Sequence, residues 1–365
     1  MTNPRYITEN FHSQSLERNP LKISADRQFM IYLPPGYYDS EEKRYPVIYL
    51  LHGYRQDIKS LIVGSKKYLR NAIPFIYRSI ARRILRIIPK YEDLDKKINS
   101  QEIKPFILVQ PECSLNIPDM NGVLKINGNP AMKGAFYLNS PFTGNFYDYI
   151  FDDLIKFVDS KYRTFSDKKN RALMGASMGG YGTLLACLKS PEKFNVGVAL
   201  SPLISFLDLL ELKKIMPLYQ LAFGKKKAEY YGKKDVEDVL DTADLIITDN
   251  DRLIPTIKRD TAGKIIKMDE SIRKKWLEYD IIEIIKKTPQ PFSNIKIMIN
   301  CEIKDEYGFS AQIMKLKTFL AKMEFKHKVD IDIYQNKIAE KLSPHILGIG
   351  YHLFPGIYYC LENMS

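Results

Sequence analysis

The residues with the clearest capacity for chemistry are Gly175-Ala176-Ser177-Met178-Gly179, a serine framed by glycines at the spacing G-x-S-x-G. A strand-like run, Arg171-Ala172-Leu173-Met174, precedes them, and a helix-like run from Tyr181 to Leu188 follows. A serine in that context sits on a sharp, strained strand-to-helix turn. Glycines on either side let strand and helix approach, and the hydroxyl stands at a helix N-terminus, where backbone N–H groups can stabilise an anion. The chemistry this suits is nucleophilic attack on an acyl carbon. The plainer reading is a glycine-rich turn that happens to hold a serine.

A serine hydroxyl needs a general base, and the chain has five histidines. His12 lies in a polar N-terminal stretch, His327 is flanked by Lys326 and Lys328, and His52 belongs to the turn Leu51-His52-Gly53-Tyr54. His345 follows the strand-like Val329 to Tyr334 and a polar loop, whereas His352 falls inside the last helical segment. A base on the loop after the last strand is expected where the order is serine, acid, histidine, which selects His345. The acid then belongs just past the strand-like run Ile295 to Asn300, where Asp305 and Glu306 are adjacent. Asp305 is the better placed, with Glu306 as the alternative; either could instead be a solvated surface carboxylate. Negative charge developing on a carbonyl oxygen calls for preorganised N–H donors. The Met178 N–H, directly after the nucleophile, and the Tyr54 N–H, after Gly53, are the expected pair.

These residues need a scaffold. Phe29 to Leu33, Val47 to Leu51, Phe106 to Val109, Arg171 to Met174, Val196 to Leu200, Ile295 to Ile299 and Val329 to Tyr334 read as strands. Amphipathic helical runs alternate with them at 149–162, 181–188 and 311–323. Continuous apolar strands alternating with such helices predict an α/β fold with a mostly parallel central sheet covered on both faces. Two stretches interrupt the alternation: a helical insertion at about 61–104, and residues 203–291, whose length predicts a cap over the strand ends. We therefore expect one domain over residues 1–365 carrying both insertions.

Apolar residues make up 45% of the 365 and charged residues 27%, a balance that excludes disorder. Cys113, Cys187, Cys301 and Cys360 are far apart with no C-x-x-C pair, and read as buried thiols of a reducing compartment. With no Sec-type h-region near Met1, a cytoplasmic location is expected, export by another route aside. The net charge of +12 would suit an acidic partner, but the lysines are dispersed and no nucleic-acid motif accompanies them. Leu69, Ile73, Ile76, Ile80, Ile84 and Ile87 recur at helical spacing opposite Arg78, Arg82 and Arg86. A basic amphipathic helix over 69–87 could rest on an anionic membrane; packing on the core is the commoner use of such a stripe.

From Phe29 onward the chain resembles the putative esterase family of α/β-hydrolases, which holds esterase D-type thioesterases, feruloyl esterases, enterochelin esterases and mycolyltransferases. The resemblance is carried by Tyr32-Leu33-Pro34-Pro35-Gly36-Tyr37, by Tyr45 to Gly53, by Gly144-Asn145-Phe146-Tyr147-Asp148-Tyr149 and by the Gly175 to Gly180 elbow, in that order. Cys301 to Gly308 is similar to the family's Cys-Gly-x-x-Asp stretch, which favours Asp305 as the acid. Phe136-Tyr137-Leu138-Asn139-Ser140 is similar to its loop near the substrate, which implies that Tyr137 and Asn139 line the pocket. Ser343-Pro344 stands where the family usually has a glycine pair before its histidine.

The expectation is a serine esterase acting on a small-molecule or lipid ester or thioester, without cofactor or metal. An acyltransferase of the same fold, or a non-catalytic lipid- or protein-binding relative, are the competing readings.

Overall fold

The computed structural model describes residues 5–62, 89–115, 133–210, 233–248, 265–323, 328–340 and 344–365, with short pieces at 124–126, 129–131, 256 and 258–259. Eight strands form one sheet: β1 (Tyr6–His12), β2 (Asp26–Tyr32), β3 (Val47–Leu51), β4 (Ile107–Pro111), β5 (Arg171–Ala176), β6 (Val196–Leu200), β7 (Lys296–Glu302) and β8 (Val329–Tyr334). Their spatial order is β1-β2-β4-β3-β5-β6-β7-β8. The β1–β2 and β2–β4 pairs are antiparallel, and β4, β3, β5, β6, β7 and β8 are mutually parallel. The seven expected strands are all present. β1 is an eighth: an edge strand, mostly exposed or half-buried, it lacks the apolar run that marks the others.

The central strands are apolar on both faces because both faces are covered. Along β3, Val47, Tyr49 and Leu51 enter one core cluster while Ile48 and Leu50 enter the other, as the two-residue period of a strand requires. The first face is covered by α2 (Leu154–Lys161), α3 (Met178–Lys189) and α5 (Phe309–Leu320), the second by α1 (Tyr91–Asn99) and α6 (Pro344–Asn363). Helix α4 (Lys233–Thr248) lies in the region between β6 and β7. Complete burial of a side chain such as Ile48 or Leu184 contributes about 1.5–3 kcal/mol, so these stripes rather than helix propensity fix the layers.

The four cysteines are unpaired and fully buried, and burial pushes the thiols of Cys113 and Cys187 up to about 12. Among the described residues no helix is long and apolar enough to cross a membrane, and no group of His, Cys, Asp and Glu is arranged to hold a metal. The amphipathic run at 69–87 and His327 lie outside the described residues.

Candidate active site

Ser177 joins β5 to α3 at φ 55° and ψ −114°. A non-glycine residue in that region costs about 1–3 kcal/mol and persists only where its neighbours over-determine it. Here the Ser177 N–H donates to Leu200 O at 2.9 Å and the Ser177 carbonyl accepts from Tyr181 N at 3.0 Å. The flanking glycines are obligatory for space. A Cβ on Gly175 would lie 2.1 Å from Gly179 O, and one on Gly179 would lie 2.1 Å from Leu51 O.

That last contact presses the end of β3 and its following turn against the elbow. The turn is held from several sides. Gly53 N donates to Gln56 Oε1 at 2.7 Å, Gln56 N returns to Gly53 O at 3.1 Å, and His52 Nδ1 donates to the same carbonyl at 2.8 Å. His52 Nε2 accepts the Cys113 N–H at 2.9 Å, so both ring nitrogens are committed and this histidine is no base. Tyr54 and Met178, the expected oxyanion donors, both border the cavity that Ser177 opens into. The Tyr54 hydroxyl bonds Thr242 Oγ1 of α4 at 2.8 Å, and Arg55 pairs with Asp238 of the same helix. The turn is thereby tied to the segment between β6 and β7.

Asp305 and His345 are brought together. Asp305 Oδ2 accepts from His345 Nδ1 at 2.6 Å, and its Oδ1 accepts the Tyr307 N–H at 3.0 Å. The proton on Nδ1 leaves Nε2 as the basic nitrogen. Asp305 is fully buried and His345 is 6% exposed. Burial pulls the imidazole pKa down, but the charge and hydrogen bond of Asp305, helped by the charge of Glu306, outweigh it and hold the value above 6.5. Tyr307 and Phe309 meet the ring edge-on at 4.8 and 5.4 Å.

The adjacent carboxylates divide their work. Glu306 Oε2 accepts the backbone N–H of His345 at 2.7 Å. This corrects one expectation: His345 is the second residue of α6, not part of a loop, because Pro344 is preorganised for a first helical position. Pro344 has no N–H, so His345 carries the first donor that the helix leaves unpaired, and Glu306 satisfies it. Nothing in the local sequence marks a cap supplied from 39 residues away. The other described histidines are engaged elsewhere. His12 is exposed between Asp26 and Glu17, and His352 bonds Gly348 O at 3.0 Å and stacks on Tyr334.

Tyr137 and Asn139 do not line the cavity; Phe136 does. Phe136 and Tyr137 both take positive φ, 52° and 59°, and this turn sends the Tyr137 ring into the core against Gly182. Its hydroxyl donates to His52 O at 2.9 Å, so it supports the turn after β3 from behind. Asn139 is exposed and accepts the N–H groups of Tyr147 and Asp148 at 2.9 and 3.1 Å, a helix-capping task.

Ser177, Met178, Gly53, Tyr54 and His345 thus border one cavity of about 390 Å³. A strand order of β1-β2-β4-β3-β5-β6-β7-β8, a serine at the turn after β5, and an acid and a histidine after β7 and β8 define an α/β-hydrolase with a serine-hydrolase site. More particularly, the chain belongs to the Putative esterase family, whose model matches residues 22–340. A curated relative, the endo-1,4-beta-xylanase/feruloyl esterase of Xylanibacter ruminicola, is 29% identical over 168 residues. That match spans 45% of this chain and 18% of the relative's length. Among solved structures, a ferulic acid esterase superposes with a TM-score of 0.56 at 14% identity, covering 98% of each chain. An S-formylglutathione hydrolase from Agrobacterium tumefaciens gives 0.55 at 14% identity, over 99% of this chain and 95% of that one.

Proposed function

We propose that the protein hydrolyses a carboxylic ester or thioester through an acyl-enzyme on Ser177. One observation carries this: the elbow serine and His345, which is paired with the buried Asp305, open into the same cavity as Gly53, Tyr54 and Met178. In this reading Ser177 Oγ attacks the acyl carbon and His345 Nε2 takes its proton. The oxyanion rests on the Tyr54 and Met178 N–H groups. His345 then protonates the departing alcohol or thiol, and a water repeats the sequence to release the acid. Asp305 keeps the proton on Nδ1 and stabilises the imidazolium. Helix α4, tied to the turn after β3 through Thr242 and Asp238, shapes the substrate side of the cavity together with Leu203, Leu209 and Val239, as the described part of the expected cap.

A fluorophosphonate probe tests the proposal. Stoichiometric labelling is expected, mapped to the peptide that contains Ser177, with parallel loss of p-nitrophenyl acetate hydrolysis. A folded protein that takes up no probe and turns over no ester would be a binding module instead.

A further inference from the structure

On α6, Ile346, Ile349, Gly350 and Leu353 all border the cavity, and their spacings of three, one and three place them on one face of the helix. The stripe begins one residue past the proposed base. Exposure falls along it, from 44% at Ile346 to 7% at Ile349 and 1% at Leu353, so it descends from the mouth into the interior. Leu61 borders the same cavity. The result is an apolar slot that starts at the reacting atoms.

Gly350 is the informative residue. Glycine is among the poorest residues for a helix interior, and α6 contains three of them, at 348, 350 and 356. Two of these have a packing reason: a Cβ on Gly348 would lie 2.6 Å from the Tyr334 hydroxyl, and one on Gly356 would lie 2.6 Å from Met174 Cε. Gly350 faces the cavity, where its missing side chain widens the slot.

Three polar side chains on the rest of the lining are engaged with the protein. Gln56 accepts from Gly53 N, Ser60 Oγ donates to Asp57 at 2.8 Å, and Arg55 pairs with Asp238. A ligand group that needs hydrogen bonds would lose its water at the inner end of the slot and meet, among the described residues, the apolar side chains of Ile349, Leu353 and Leu61, a loss of about tenfold to a hundredfold. Methylenes carry no such cost.

We infer that the slot along α6 receives the unbranched alkyl arm of the ester, and that Gly350 sets its width. This rests on the esterase reading and names its substrate class. From Ile346 to Leu353 the helix rises about 10 Å, room for an extended chain of roughly six to eight carbons. Each methylene buried in it is worth about fourfold in kcat/KM.

Two series locate the arm: p-nitrophenyl esters from acetate to decanoate, which lengthen the acyl side, and acetates of alcohols from ethanol to decanol, which lengthen the other. In one of them kcat/KM should climb to a maximum at about six to eight carbons and then fall. Gly350→Leu should erase the climb, so that the longer esters lose several-fold relative to the shortest. Gly350→Ala, which favours the helix, should blunt it. Flat profiles in both series, or a Gly350→Ala profile and a folded Gly350→Leu profile that match wild type, overturn the inference. Fluorophosphonate labelling of each protein separates the two levels. A labelled enzyme with flat profiles loses only the slot, whereas an unlabelled wild type ends the esterase reading and the slot with it.

Discussion

Alanine at position 177 should lower kcat/KM for p-nitrophenyl acetate by about 10⁴-fold or more and abolish fluorophosphonate labelling, with the thermal transition little changed. The size of the effect follows from what is left behind. The oxyanion turn and the cavity would still bind the ester, but no atom would remain to form the acyl bond. Alanine keeps a Cβ at φ 55°, so the backbone strain of the elbow is retained. Glycine at the same position removes that strain, and Ser177→Gly should be equally inactive yet melt at a higher temperature than Ser177→Ala, by a margin corresponding to about 1 kcal/mol or more. Activity above a tenth of wild type in either variant would place the nucleophile elsewhere.

The second large effect distinguishes two neighbouring carboxylates. Asp305→Asn should reduce kcat/KM by about 10³–10⁴-fold, because an amide no longer holds the proton on Nδ1 nor stabilises the imidazolium. Glu306→Gln retains an oxygen that can accept the His345 backbone N–H, and should cost less than about tenfold. The pH profile gives an independent reading. The base works when neutral, and its two anionic neighbours raise its pKa above the ordinary 6.5. The rate of the wild type should therefore rise with pH through a limb above that value. Removing either negative charge favours the neutral imidazole, so both substitutions move the limb to lower pH, Asp305→Asn further. If Glu306→Gln proved the more damaging, with the larger shift, the roles given to the two acids would be reversed.

Much of this arrangement was legible in the sequence because its constraints are local. The elbow is a matter of two glycines and a serine at fixed spacing between runs of opposite periodicity. The buried strands announce themselves as unbroken apolar stretches. Chain order limits where an acid and a base can follow the elbow, which narrowed the candidates to His345 and to Asp305 or Glu306; the Asp305–His345 hydrogen bond itself depends on the fold. What escaped depended on distant partners. Tyr137 is polar and aromatic, qualities that suit a pocket wall, but its position is decided by the positive φ of its turn and by the space above Gly182. Glu306 caps a helix across a gap of 39 residues. Strand β1 packs too little apolar surface to leave a pattern, and its register on β2 is set by pairing from Tyr6↔Tyr32 to His12↔Asp26.

The four enclosed thiols have a use that their chemistry does not suggest at first. Burial pushes the thiols of Cys113 and Cys187 up to about 12 and disfavours the reactive thiolate, and all four sulfurs are closed off from solvent in the folded protein. Alkylation of the native protein therefore counts excursions of the chain rather than collisions with its surface. Cys113 sits under the oxyanion turn, Cys187 on α3, Cys301 on β7 beside Asp305 and Cys360 near the end of α6. Each reports on a different neighbourhood, so the rates at which the four acquire a mass tag would rank the local opening free energies of the molecule without any engineered label.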